Sequence, residues 1–243
     1  MSGADTPVFA GVFGGGGLFG IGYGLGVVDA LSARGVDLSD APMLGTSAGS
    51  WVAAATALRV DFDTLVQLPV PTFPNPREGV LAETAALAFG DRTHANVSVV
   101  VTSIPRLRRT VLNGADIPLA RLVAASSAVP GLLAPQRING VRYVDGGVRS
   151  AVSVDLAPAA RTLVIIAPLA GAMFGPFGRL VEARTDRQQQ AWHDQHEGRF
   201  IEFSPKRSTA GVATLPQHLF DPARAIEAYH RGHDEASTAT LPT

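Results

Sequence analysis

A chain of 243 residues, 46% hydrophobic and 17% charged, carries enough apolar matter for one sizeable core and too little charge for a disordered segment. Its formal net charge of −1 offers no basic footprint for a nucleic-acid partner. The absence of cysteine excludes disulfides, a thiolate nucleophile and Cys-ligated zinc, and fits a reducing compartment.

The opening "MSGADTPVFAGVF" has an acid and no base ahead of its apolar stretch, so it does not read as a signal peptide. "PVFAGVF" (7–13) predicts a buried strand, "GGGGLFG" (14–20) a loop, and the stretch from Ile21 to Arg34 a helix that ends at Gly35. A second strand over 42–46 runs into Ser47, and "AGSWVAAATAL" (48–58) follows as a helix. This is an α/β opening with a parallel sheet. Residues 61–96 change character: prolines 69, 71, 74 and 76 precede a helix over 79–89, and the segment reads either as a surface connection or as a lid.

Further on, "VSVVVTS" (97–103) predicts a strand that "RRTVLN" (108–113) could pair with, and "PLARLVAASSAV" (118–129) a helix stopped by Pro130. Asn139-Gly140 between short β-type runs predicts a hairpin, whose second strand delivers Asp145 into a Gly-Gly loop. A strand over 161–169, a polar helix over 178–197 and a last strand over 199–204 complete the alternation. Asp221-Pro222 reads as an N-cap with Pro at the first helical position, opening a C-terminal helix. No repeat or boundary interrupts the chain, so residues 1–243 are expected to form one domain. The longest apolar runs, such as "LVIIAPLAGAMF", are short and broken by Pro and Gly, so a cytoplasmic, non-spanning protein is expected.

Three stretches could carry chemistry. Gly15, Gly17 and Gly20 satisfy G-x-G-x-x-G between a strand and a helix, a pattern that can cradle a pyrophosphate or hold a developing oxyanion. The dinucleotide reading needs an acid at the end of the next strand. That strand ends in "GTSAG" instead, which favours the anion hole, with a purely structural turn as the third option. In G-T-S-A-G, Gly45 and Gly49 leave Ser47 at a sharp strand-to-helix turn, as a nucleophile requires, though a helix N-cap would also suit it. Asp145, followed by Gly146 and Gly147, stands at a strand end where a nucleophile could approach it; D-G-G is also a common turn. The six histidines (His94, His193, His196, His218, His230, His233) fall in loops or polar helices and read as solvated. Trp51 and Trp192 could line a pocket or belong to the core, and Arg149 could pair with Asp145, hold a phosphate or simply face solvent.

Together these motifs, with the surrounding "GVVDALSARGVDLSDAPMLGTSAGS" and "LARLVAASSAVPGLLAPQRINGVRYVDGGVRSA", resemble the patatin-like phospholipase family in its bacterial members. The resemblance implies a three-layer α/β/α sandwich with a mostly parallel sheet and a Ser-Asp dyad that uses neither cofactor nor metal. It makes Ser47 the nucleophile, Asp145 the base, and the N–H groups of Gly15, Gly16 and Gly17 the oxyanion hole, with Gly20, Gly45, Gly49, Gly146 and Gly147 as motif support. The implied substrate is a lipid or other acyl ester, and "LPVPTF" with its neighbours is the candidate for transient membrane-surface contact. Phe19 stands where many members carry Arg or Lys, and residues 61–96 are short for the family's active-site cover. Three other functions fit parts of the pattern: an acyltransferase, against which Thr46 stands where such enzymes place histidine; an inactive lipid-binding module; and a nicotinamide-dependent oxidoreductase.

Overall fold

The computed structural model describes residues 6–241, so the first five residues of the opening read above lie outside it. The central strands β1 (Phe9–Phe13), β2 (Met43–Thr46), β3 (His94–Ile104), β7 (Thr162–Ile166) and β8 (Arg199–Phe203) are mostly short apolar runs, paired in parallel. Such runs suit a sheet covered on both faces, and side-chain alternation sorts them into two cores. Val12, Val100, Leu163 and Ile165 point to one face, while Phe13, Val99, Val164 and Ile166 point to the other.

The first face is covered by α6 (Pro176–His193), which contributes Val181 and Trp192. The second is covered by α1 (Gly17–Ala33), α2 (Ala48–Leu58), α4 (Val80–Phe89), α5 (Leu119–Ser126) and α8 (Pro222–Ser237). The result is the expected α/β/α sandwich. A short α3 (Phe62–Val66) and α7 (Arg207–Ala210) fall in segments where the sequence pattern had predicted no helix. No helix among the described residues is long and apolar enough to cross a membrane.

Helix α1 begins at Gly17, four residues before the sequence signal at Ile21. Its glycines lower intrinsic helicity by about 1 kcal/mol each relative to Ala, but they permit close packing. A methyl group on Gly22 or Gly26 would lie 2.1 or 2.0 Å from the carbonyl oxygens of Ala225 and Tyr229 in α8. The helix is buried nearly all round, and tertiary contact outweighs its propensity.

Three antiparallel strands complete the sheet: β4 (Arg108–Gly114), β5 (Gln136–Ile138) and β6 (Val141–Asp145). The hydrogen-bonded path runs β5-β6-β3-β2-β1-β7-β8, with β4 also on β3. Strand β4 follows one edge of β3 along 98–103. The other edge is therefore shared end to end, by β2 along 97–100 and by β6 along 101–104. Since β2 runs parallel to β3 and β6 antiparallel, the C-terminal ends of β2 and β6 meet head to head. Thr46 lies opposite Val100, and Asp145 lies opposite Val101. That register positions the site.

Candidate active site

Ser47 occupies the single residue between β2 and α2 with φ 52° and ψ −121°. A non-glycine residue there is strained by about 1–3 kcal/mol, and surrounding contacts must hold it. Two features do. The Ser47 N–H donates to Ser126 Oγ at 2.9 Å, and Ser126 Oγ in turn donates to the Val100 carbonyl at 2.7 Å. The Ser50 hydroxyl donates to the Ser47 carbonyl at 2.6 Å. The tightness of the turn needs its glycines: a methyl on Gly49 would lie 2.0 Å from the Phe13 carbonyl oxygen, and one on Gly45 would lie 2.4 Å from Ser50 Cα. Ser47 holds the N-cap position of α2, but its side chain makes no capping hydrogen bond there.

Asp145 closes β6, with its N–H donating to the Ala128 carbonyl at 3.0 Å. Gly146 lets the chain lie against β3, where a methyl would meet the Val100 carbonyl oxygen at 2.3 Å. The Asp145 side chain is buried, and the Gly147 N–H donates to its Oδ1 at 2.6 Å. Burial outweighs the hydrogen bonds from the Ser47 hydroxyl and the Gly147 N–H, which act to lower the pKa, and the net effect raises it from 3.8 to about 6. A carboxylate so placed is a better proton acceptor near neutral pH than a solvated one.

The glycine loop borders the same serine. A methyl on Gly15 would lie 3.4 Å from Ser47 Cβ and 3.9 Å from Ser47 Oγ, and one on Gly20 would lie 3.2 Å from Ala48 Cβ. One expectation is corrected. Gly15 N–H donates to the Ala151 carbonyl at 2.9 Å, because this loop is tied to the segment after Asp145, and it is not an open donor. The N–H groups of Gly16 and Gly17 make no hydrogen bond among the described residues and stand at the start of α1, where the helix dipole favours negative charge.

Ser47, Asp145 and this loop share a cavity of about 430 Å³ whose remaining wall is mainly apolar. Trp51, Phe62, Leu65 and Leu81 form part of it, and residues 68–71 and Phe73 of the Pro-rich segment line it as well. Leu219 and Phe220 add to the lining from a C-terminal stretch that the motifs had not singled out, with the Phe220 and Phe73 rings 5.1 Å apart.

Other candidates separate cleanly. Trp51 lines the cavity and donates through Nε1 to Ser127 Oγ at 3.2 Å, while Trp192 packs on Phe200 beyond the other sheet face. None of the six histidines lines the cavity. Arg149 is exposed and forms no ion pair with Asp145. Phe19 is buried, its ring stacked with that of Tyr23. Ser126 was missed in the sequence because "AASSAV" shows nothing but a helix end.

The site is thus a serine at a strand-to-helix turn facing a buried carboxylate at the end of an α/β/α sheet. Residues 71–158 match the family model described as patatin-like phospholipase. The matched stretch includes Asp145 and begins after Ser47 and the glycine loop. The resemblance to the patatin-like phospholipase family is thereby shown. A search of curated proteins finds no match. Among solved structures, the crystal structure of VipD from Legionella pneumophila aligns with 14% identity and a TM-score of 0.49. That alignment covers 96% of this chain and 66% of the VipD chain.

Proposed function

We propose that this chain is a serine acyl hydrolase that cleaves lipid esters through an acyl-Ser47 intermediate, with Asp145 as its base. The family match supports lipid-ester hydrolysis in general. The observation that carries the finer reading is the pairing of strained Ser47 with buried Asp145 on an apolar cavity.

The Ser47 Oγ attacks the ester carbonyl carbon as its proton passes to Asp145. Negative charge on the carbonyl oxygen is received by the Gly16 and Gly17 N–H groups, pre-aimed donors that need no reorganisation. Collapse expels the alcohol, which takes the proton from Asp145. Water then attacks the acyl-serine, again giving a proton to Asp145, and the fatty acid leaves as Ser47 recovers its hydrogen. No cofactor or metal takes part in this scheme. The apolar wall would hold the acyl chain.

The test is hydrolysis of p-nitrophenyl esters from butyrate to palmitate by wild type, Ser47→Ala and Asp145→Asn. Turnover by wild type with a fall of several orders of magnitude in both variants is expected. An Asp145→Asn protein that keeps most of its rate while a histidine variant loses it would replace the dyad with a triad. A wild type inert on every ester would leave an inactive lipid-binding module as the better account.

A further inference from the structure

Beside the main cavity lies a smaller groove of about 220 Å³ that shares Gly147, Val148, Ala151 and Phe177 with it. Its far side differs in chemistry. Arg149 from the segment after β6, and Arg184 and Arg187 from α6, line it, and no carboxylate does. On α6 the residues Phe177, Leu180, Arg184 and Arg187 follow helical spacing and form one stripe, apolar at the cavity end and cationic beyond. Glu182 and Asp186 lie outside the groove lining. Among the described residues none of these three arginines forms an ion pair, unlike Arg59, Arg77, Arg109, Arg224 and Arg231. Arg187 Nε bonds only to the carbonyl of Ala183 in its own helix.

Three guanidinium groups lining one groove without a carboxylate give it a local positive potential that favours an anion. Guanidinium also matches phosphate oxygens in a two-pronged geometry that lysine lacks. Between this groove and Ser47 lies a partly exposed apolar shelf, with Val148 and Phe177 each 48% exposed. A ligand with an apolar chain, an ester and an anionic end would span the two compartments in that order.

We propose that the Arg149–Arg184–Arg187 groove is a head-group subsite for the phosphate of an anionic phospholipid whose ester lies at Ser47. It rests on the hydrolase reading for the ester's position. The shared chemistry is a phosphate ester, which a lipid head or free phosphate could supply, and the test separates them.

The experiment measures equilibrium binding to full-length Ser47→Ala, where no turnover intervenes, using dihexanoyl phosphatidylglycerol and dihexanoyl phosphatidylcholine as dispersed monomers. The phosphatidylglycerol is expected to bind at least about tenfold more tightly, a preference that weakens as salt rises. Adding Arg149→Gln, Arg184→Gln and Arg187→Gln should bring the ratio of the two affinities close to one. An unchanged ratio, or equal loss for both lipids, overturns the subsite. Inorganic phosphate that competes as tightly as the lipid itself assigns the groove to free phosphate and also overturns it. The hydrolase reading fails separately, if the wild type leaves p-nitrophenyl butyrate intact while the binding preference persists.

Discussion

Asp145 is held by opposing effects, and they set how the protein should respond to pH. Its pKa in the fold, about 6, lies above the 3.8 of a free carboxyl, because burial disfavours the charged form more than its two donors favour it. Within the proposed mechanism the base must be ionised, so kcat/KM should rise with pH through about 6 and then level off. The sign for stability is the reverse. A raised carboxyl pKa means the folded state holds the proton more tightly than the unfolded chain. Its contribution is therefore full below pH 3.8 and is lost as pH climbs through about 6. At neutral pH the ionised Asp145 should destabilise the fold by about 3 kcal/mol as an upper figure. Asp145→Asn should thus raise the thermal midpoint at pH 7 while lowering the hydrolytic rate, a pairing that calorimetry and an ester assay can check together. Ser126 acts on the same centre from behind. Ser126→Ala removes the acceptor of the Ser47 N–H in a buried place, which should lower stability by about 1–3 kcal/mol. It should also reduce kcat more than it changes KM, since the strained φ of Ser47 loses a contact that holds it.

At the scale of elements, the elbow depends on how closely α2 approaches β1. Gly49→Ala would drive a methyl into the Phe13 carbonyl, and α2 would have to withdraw from the sheet. A stability loss of about 1–3 kcal/mol or more is expected in denaturant unfolding, with Ser47 displaced and the ester rate falling with it. The sequence made this joint legible because G-x-S-x-G has a mechanical cause, and D-G-G was legible as a turn at a strand end. Their meeting was expected only through the family resemblance. It depends on β2 and β6 sharing one edge of β3, a long-range register that no local pattern encodes. The early start of α1 at Gly17 escaped for a related reason: glycine propensity argues against helix, and only α8 lying against Gly22 and Gly26 reverses the balance. The glycine loop does border Ser47, but the bond from Gly15 to Ala151 joins residues far apart and could not be read from the glycines themselves.

For the whole molecule, the sandwich presents its cavity where sheet ends, the Pro-rich segment and the C-terminal stretch converge. Residues 61–96 read in the sequence either as a lid or as a plain connection because prolines suit both; in the fold, residues 68–71 and Phe73 line the cavity. The share taken by Leu219 and Phe220 was illegible, since a short turn before a capped helix shows no sign of what it faces. Because the cavity lining is mainly apolar, its shape should set acyl-chain preference. Leu65→Trp, which fills part of the wall, should lower the ratio of laurate to butyrate ester rates by about tenfold or more.

The central claim is that Ser47 is activated by Asp145, and fluorophosphonate labelling followed by peptide mass spectrometry tests it most directly. The account predicts a single adduct, on Ser47, whose rate of formation rises with pH through about 6 and falls by orders of magnitude in Asp145→Asn. An adduct on another residue, or an Asp145→Asn protein labelled at the wild-type rate, would contradict it.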